Sequence, residues 1–310
     1  MNINIINKLK IIEDYERINN NIFKANAYKN AIDIIYLYPN KINSIIELNK
    51  VKGIGKNIYH KIIEYINTDN IKKINEIEND KKYILKRDLN KIYGIGPSKI
   101  NELINKINNI NELYLKENNN LLNNKQQIGL KYYIDLNKRI PYDEGVKHYN
   151  IIKKYINIFS KNIDFDMVGS YRRKNNDMGD IDILIKNNNN FNLNNFILLL
   201  KNNNYIIENL ENGKKKYMGI CKLNENSIAR RIDILLCDEN NYYFSLLYFT
   251  GSYKFNIIMR KKALEIGYSL SEYGFTDIKT NKIITNLNIK SEEDIFKIIG
   301  MKYVEPQNRV

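Results

Sequence analysis

At 310 residues, 43% of them hydrophobic and with 24 Tyr and 10 Phe among them, the chain holds material for two or three packed cores, which excludes a disordered tail. A formal net charge of +14 favours a polyanionic partner, because lysines that displace counterions from phosphates bind them without reading any sequence. The longest apolar runs, such as FILLL at Phe196–Leu200, are too short to cross a bilayer, and the opening MNINIINKLK lacks the pattern expected of a secretory signal.

From Ile5 to about Asn108 apolar residues recur at three- and four-residue spacing, which predicts a series of short amphipathic helices. Within this stretch, VKGIGKNIYHKIIEYI from Val51 and IYGIGPSKINELINKI from Ile92 repeat one pattern, an apolar residue, then Gly-Ile-Gly, then a helix. Gly53 and Gly55, and again Gly94 and Gly96, allow a tight turn whose backbone N–H groups open onto a helix N-terminus. Such groups donate to a phosphate oxygen with no help from a charged side chain. Two helix–hairpin–helix units of this kind on a basic chain would grip a nucleic-acid backbone at two places without reading bases.

The pattern changes near Arg139–Tyr142. Beyond it lie short β-rich runs, GDIDILI, KYMGICKL and RRIDILL, interleaved with helical pieces such as HYNIIKKYINIF, so a mixed α/β part follows the helical, nucleic-acid-facing part. After DMV, Gly169 and Ser170 predict a tight strand-to-helix turn able to cradle phosphate through backbone and hydroxyl donors, and Arg172 or Arg173 can bond the same group. In GDIDILI, strand alternation puts Asp180 and Asp182 on one face and Ile181 and Ile183 on the other. KNNNNFNLNN, Lys186–Asn195, reads as a loop. RRIDILL offers a third carboxylate, Asp233, in a similar apolar frame. Three acids held together repel unless cations sit among them, and carboxylate oxygens are what Mg²⁺ prefers. Two such ions can activate an attacking hydroxyl and stabilise a leaving oxygen at one phosphorus. Acids for metal beside arginines for phosphate point to a metal-bound nucleoside triphosphate between them. Cys221 and Cys237 form neither a CxxC pair nor a disulfide framework, which suits a reducing compartment.

GSYRR with GDIDILI, then RRIDILL, then LYFTGSYKFNIIMRKKALEIGYSLSEYGF resembles the X family of DNA polymerases. The likeness runs from about Phe23 to the C-terminus, through NAYKNA, both hairpins, QQIGLKYYIDLNKRIPYDE and EEDIFKIIGMKYVEP. It implies a multidomain α and α+β fold. Residues 1–77 would be a helical lyase-type domain with the first hairpin, and 78–141 a helical DNA-binding subdomain with the second. A mixed-sheet nucleotidyltransferase palm would occupy 142–239, and an α/β nucleotide-selection subdomain 240–310.

The same likeness assigns Asp180, Asp182 and Asp233 to two Mg²⁺ ions, with Asp233 helping to activate the primer 3′-hydroxyl. Arg139, Gly169, Ser170, Arg173 and Gly179 would hold the triphosphate, and Arg231 would lie beside the acids and the primer backbone. Tyr248, Phe249 and Gly251 correspond to the turn that excludes a 2′-hydroxyl. Asn256 and Arg260, one helical turn apart, would touch the incoming base and the templating nucleotide. Lys61 aligns with the Schiff-base nucleophile that removes deoxyribose 5-phosphate. An amine attacks an aldehyde only when unprotonated, which calls for nearby cations, here Lys24, Lys52 and Lys56. Lys24, Tyr28 and Lys56 would also contact the 5′-phosphate region. Departures from the family's usual residues are Asn57 for a lysine, His60 for an acid, Met178 for a small hydroxyl residue, Leu235 for a basic residue and Tyr253 for an acid.

The implied partners are gapped or nicked double-stranded DNA, dNTPs and, by analogy, a repair ligase, with a monovalent cation at each hairpin. A monomer is expected, away from membranes and inside the cell, in a nucleus or at a cytoplasmic viral replication site. Two other readings compete with templated gap filling. A template-independent nucleotidyltransferase would need a long extra loop, for which the short span Tyr142–Val168 has no room. A non-catalytic DNA-end binding protein would have no reason to keep three repelling carboxylates.

Overall fold

Isoleucine and leucine at helical spacing build the first core. Helix α1 (Ile3–Ile18) and helix α2 (Ile22–Leu37) contribute Ile5, Leu9, Ile12, Ile32 and Ile35, all buried. Helices α3 (Ile45–Leu48), α4 (Lys56–Thr68) and α5 (Lys72–Glu78) close the same cluster with Leu48, Ile58, Ile62, Ile74 and Ile77. Each such side chain, fully buried, stabilises by about 1.5–3 kcal/mol. Helices α6 (Lys81–Asn90), α7 (Pro97–Leu103) and α8 (Asn124–Lys131) follow. The computed structural model describes residues 2–160, 163–187, 191–285 and 287–309, and the chain divides into two compact units, Met1–Leu130 and Lys131–Val310.

Both glycine hairpins form. Gly53 and Gly94 take left-handed φ values of +90° and +85°, which glycine adopts without the Cβ penalty, while Gly55 and Gly96 cap the N-termini of α4 and α7. Pro97 at the first position of α7 lacks only an N–H that the helix start would leave unbonded. The second hairpin is braced by α8: Gln126 Nε2 donates to the Gly94 carbonyl at 3.1 Å, and a Cβ on Gly129 would lie 2.1 Å from the Tyr93 carbonyl oxygen.

In the second unit, helix α9 (Tyr133–Leu136) leads to strand β1 (Ile140–Pro141) and helix α10 (Tyr142–Phe159). Strand β2 (Phe165–Met167) turns directly into helix α11 (Gly169–Arg172), as the GS turn predicts. Strands β3 (Asp177–Met178) and β4 (Ile181–Asn187), helix α12 (Leu193–Asn202), and strands β5 (Ile206–Asn212), β6 (Lys216–Cys221) and β7 (Arg230–Asp238) complete a sheet of order β2-β4-β7-β6-β5 beside a small β1–β3 ribbon. Among the described residues of this sheet only β4 and β7 run parallel.

Alternation along β4 explains its placement. Ile181, Ile183 and Ile185 join Ile152, Ile156, Phe196 and Leu200 in one core, whereas Leu184, of opposite parity, packs with Val168, Tyr242 and Leu246. The loop expected over Lys186–Asn195 is shorter than that: Lys186 and Asn187 finish β4, α12 has begun by Leu193, and 188–190 lie outside the described residues. The apolar positions on both sides extend the regular elements into the Asn-rich run. Helices α13 (Tyr242–Thr250) and α14 (Tyr253–Glu265), the hairpin of β8 (Tyr268–Ser271) and β9 (Gly274–Asp277), and helix α15 (Glu292–Ile298) enclose a further core of Phe255, Met259, Phe275 and Phe296. Among the described residues no helix is long and apolar enough to cross a membrane.

Candidate active site

The parallel register of β4 and β7 sets Asp182 directly opposite Asp233, and Asp180 sits in the turn just before β4. One carboxylate oxygen from each of the three lies within 4.8 Å of the others. Burial first, then the Asp233 charge, pushes Asp182 up to about 7, against a lowering influence from Arg173. Arg231, two residues before Asp233 and so on the same strand face, pairs with Asp180 and brings its Nε to 3.7 Å from Asp233 Oδ1. Gly169 is required by this cluster: its φ is +61°, and a Cβ there would lie 2.6 Å from Asp182 Oδ2. Three converging carboxylates make an oxygen-only donor set that fits a hard divalent cation.

Among the residues the sequence assigns to phosphate, Arg173 Nη2 donates to Ser170 Oγ at 3.1 Å and Nη1 to the Thr250 carbonyl. The Gly251–Ser252 peptide is cis. Gly251 takes a φ of +65°, which favours glycine, and a Cβ there would stand 3.3 Å from Arg173 Nη1. Arg139 reaches Gly179, its Nη1 3.1 Å from where a Cβ would be, and it is held by Asp177 Oδ1 through Nε at 3.0 Å and Nη2 at 2.8 Å. Met178 turns away from this side: it is buried, and its Cε would lie 2.2 Å from a Cβ on Gly145.

Of the two arginines the sequence offered as alternatives, Arg173 is the one beside Ser170, and Arg172 turns to other partners. It donates to Thr250 Oγ1 at 2.8 Å and to both Glu292 oxygens at 3.0 and 2.8 Å. Arg309, buried and ringed by Phe255, Phe296 and Tyr303, bonds the same carboxylate at 2.7 and 3.2 Å. Glu292 and Arg309 were not singled out from sequence, and their spacing from Arg172 carries no pattern that would reveal them.

Asn256 and Arg260 converge on one aromatic. Asn256 Nδ2 donates to the Tyr248 carbonyl at 2.8 Å, and the Arg260 guanidinium lies 5.1 Å from the centre of the Tyr248 ring. Phe249 packs edge-on to Tyr248 with centroids 5.0 Å apart. Tyr253, in the first turn of α14, is 77% exposed and free to meet a ligand.

The first unit holds a separate cavity of about 610 Å³. Lys61, half-buried on α4, shares its wall with Lys24 and Tyr28 from α2 and with Gly55 and Lys56 from the first hairpin. Lys52, expected in this group, is exposed and outside the cavity wall, because the hairpin turn separates it from α4. Asn57 and His60, the two departures in this region, both line the cavity.

Comparison with known proteins agrees with this division. Family models match for DNA polymerase beta palm over residues 139–239, DNA polymerase beta thumb over 245–310 and a helix-hairpin-helix domain over 1–71. DNA polymerase lambda of Arabidopsis thaliana is 27% identical over 305 residues, covering 91% of this chain and 57% of the relative. DNA polymerase lambda of Rattus norvegicus is 26% identical over 329 residues, covering 99% and 56%. DNA polymerase type-X family protein pol4 of Schizosaccharomyces pombe is 24% identical over 323 residues, covering 98% and 63%. The chain thus spans 56–63% of the length of these relatives.

Proposed function

Since the chain belongs to the X family of DNA polymerases, we propose that it is a template-directed, gap-filling DNA polymerase that adds dNTPs to a primer 3′-hydroxyl during base excision repair. The observation that carries this reading is the convergence of Asp180, Asp182 and Asp233 within 4.8 Å, beside Arg173 and Ser170. Bound by these three acids, a pair of Mg²⁺ ions would lower the pKa of the primer hydroxyl and offset charge on the departing pyrophosphate.

The protein's own groups do the rest. Arg173, Ser170 and the Gly169 and Gly179 backbone hold the triphosphate so that its α-phosphorus faces the 3′-oxygen, which suits in-line displacement. Arg139 joins them after leaving Asp177, an exchange that costs little because that ion pair is more than half exposed on both sides. Tyr248, Phe249 and Gly251 bring backbone and ring against the sugar, where a 2′-hydroxyl would clash. Asn256 and Arg260, gathered at Tyr248, face the base pair, and Arg231 steadies the acids next to the primer. The hairpin glycines hold strand backbones without base contacts.

Extension of a one-nucleotide-gapped duplex, with and without template, tests this. The wild type adds the templated nucleotide and Asp233→Ala adds none while still binding DNA. Extension without template would favour a template-independent transferase, and binding without extension a DNA-end binding protein.

The first unit adds 5′-deoxyribose phosphate lyase activity to the same proposal, with Lys61 as nucleophile and Lys24, Tyr28 and Lys56 on the 5′-phosphate. Its support is the cavity that gathers these four residues. Borohydride trapping on an incised abasic site should yield a covalent adduct that Lys61→Ala loses.

A further inference from the structure

We propose that His60 carries the proton in the β-elimination step of the Lys61 cavity, an inference that rests on the lyase reading above. A Schiff base between Lys61 Nζ and the C1′ aldehyde of a 5′-deoxyribose phosphate makes the C2′ proton acidic. The sugar leaves the downstream strand only when a base removes that proton. The base must stand in the cavity wall and have an unshared lone pair near neutral pH.

The other titratable groups of the wall are engaged or of the wrong kind. From α1, Glu16 is buried and accepts from Asn21 Nδ2 at 2.7 Å. On α4 itself, Glu64 Oε1 accepts the Lys72 backbone N–H at 2.7 Å and so fastens the turn into α5. Burial pushes the Tyr28 hydroxyl on α2 up to about 12, which leaves it a donor rather than a base. From α5, Lys73 is held by Glu76 at 3.0 Å. Lys24 and Lys56 offer donors suited to phosphate. His60 remains. It lines the same cavity, it is exposed, its ring rests edge-on to Tyr59, and among the described residues nothing hydrogen-bonds its nitrogens. Imidazole is the side chain that accepts and returns a proton most readily near pH 7. Successive residues of a helix diverge by about 100°. Lys61 and His60, both in the cavity wall, therefore enter it from different directions, which lets one meet C1′ while the other meets C2′.

The step balances without a co-reactant. His60 takes the C2′ proton, the C–H pair becomes the C1′–C2′ double bond, and the iminium nitrogen accepts the displaced pair. That pair then returns, the double bond moves to C2′–C3′, and the C3′–O bond breaks with its electrons going to the 5′-phosphate of the downstream strand. The imidazolium passes its proton to solvent or the leaving phosphate, and water frees the unsaturated sugar phosphate from Lys61.

The test uses the full chain, in single turnover, on a nicked duplex bearing a 5′-deoxyribose phosphate. Two readouts are followed across the pH range in which imidazoles titrate: the borohydride-trapped adduct, and release of the downstream 5′-phosphate. His60→Gln should form the adduct as wild type does and melt at the same temperature, but eliminate more slowly, by about 100-fold or more, and with a flattened pH profile. Added imidazole should restore part of the rate to His60→Ala. Normal trapping with unslowed elimination in His60→Gln overturns the role of His60 alone, as does loss of trapping in step with elimination. A wild type that traps nothing overturns the lyase reading, and this proposal with it.

Discussion

Arg172 and Arg173 adjoin in sequence, as do Arg230 and Arg231, and each pair divides in the same way. One arginine is committed to a structural ion pair, and the other stands beside the acids or Ser170. Arg230, 3% exposed, bonds Glu144 at 2.6 and 2.8 Å and the Lys138 carbonyl at 2.9 Å, while Arg231 sits on the acid cluster. Arg172 takes Glu292, and Arg173 takes Ser170. Removing Glu292 leaves two inward guanidiniums without their counter-charge, so Glu292→Gln should destabilise the protein by about 3–5 kcal/mol in urea unfolding. Asp177 is a contrasting case: in the function proposed above, its carboxylate competes with the triphosphate for Arg139 in an exposed pair worth at most about 1 kcal/mol. Asp177→Asn should therefore lower KM for the incoming dNTP up to roughly fivefold and leave kcat unchanged, measured on a one-nucleotide gap. A rise in KM would mean that Asp177 positions Arg139 instead of competing with it.

At the scale of elements, the site is a consequence of one strand pairing. β4 and β7 lie parallel and in register, which fixes Asp182 across from Asp233, and the apolar positions of both strands hold that register against the repulsion. Asp182→Asn removes the like-charge contact with Asp233, so without metal it should melt about 6–12 °C higher at pH 8 than wild type and lose the rise in Tm expected of wild type with Mg²⁺. An unchanged Mg²⁺ response would remove Asp182 from the ion site. This pairing also explains what could be read from sequence. Strand parity separates Arg230 from Arg231 and groups Arg231 with Asp233, and the repeated Gly-Ile-Gly marks both hairpins because left-handed backbone selects glycine. No parity separates Arg172 from Arg173 on the short α11, and the partner that does so, Glu292, is 120 residues away. Gly129 was equally hidden, since its reason is contact with Tyr93 rather than its own φ. Met178 shows the limit of a likeness: the position matches, but the side chain packs inward against Gly145.

For the molecule as a whole, two titratable groups of the second unit, one buried and one partly buried, push stability in opposite directions as pH changes. His148 is fully buried, its Nδ1 2.9 Å from the Tyr205 hydroxyl and its Nε2 3.8 Å from Glu144, with Arg230 bonded to that same Glu144. Burial pushes it from 6.5 down to about 4, more than the nearby Glu144 charge restores. The unfolded chain therefore takes up this proton first, and the stability His148 allows at pH 7 is lost as pH falls from about 6.5 toward 4, on the order of 3 kcal/mol. Asp182 has the reverse sign: its folded value of about 7 lies above the 3.8 of a solvated aspartate, so without metal its contribution is lost as pH rises through that interval. The two slopes overlap and largely cancel in the metal-free wild type. Urea midpoints between pH 4.5 and 7.5 should thus change little for wild type, rise clearly with pH for Asp182→Asn, and become flat again for Asp182→Asn combined with His148→Gln. A single variant, Asp182→Asn, that stayed flat across this range would show that His148 is protonated in the fold, with Glu144 rather than burial deciding its charge.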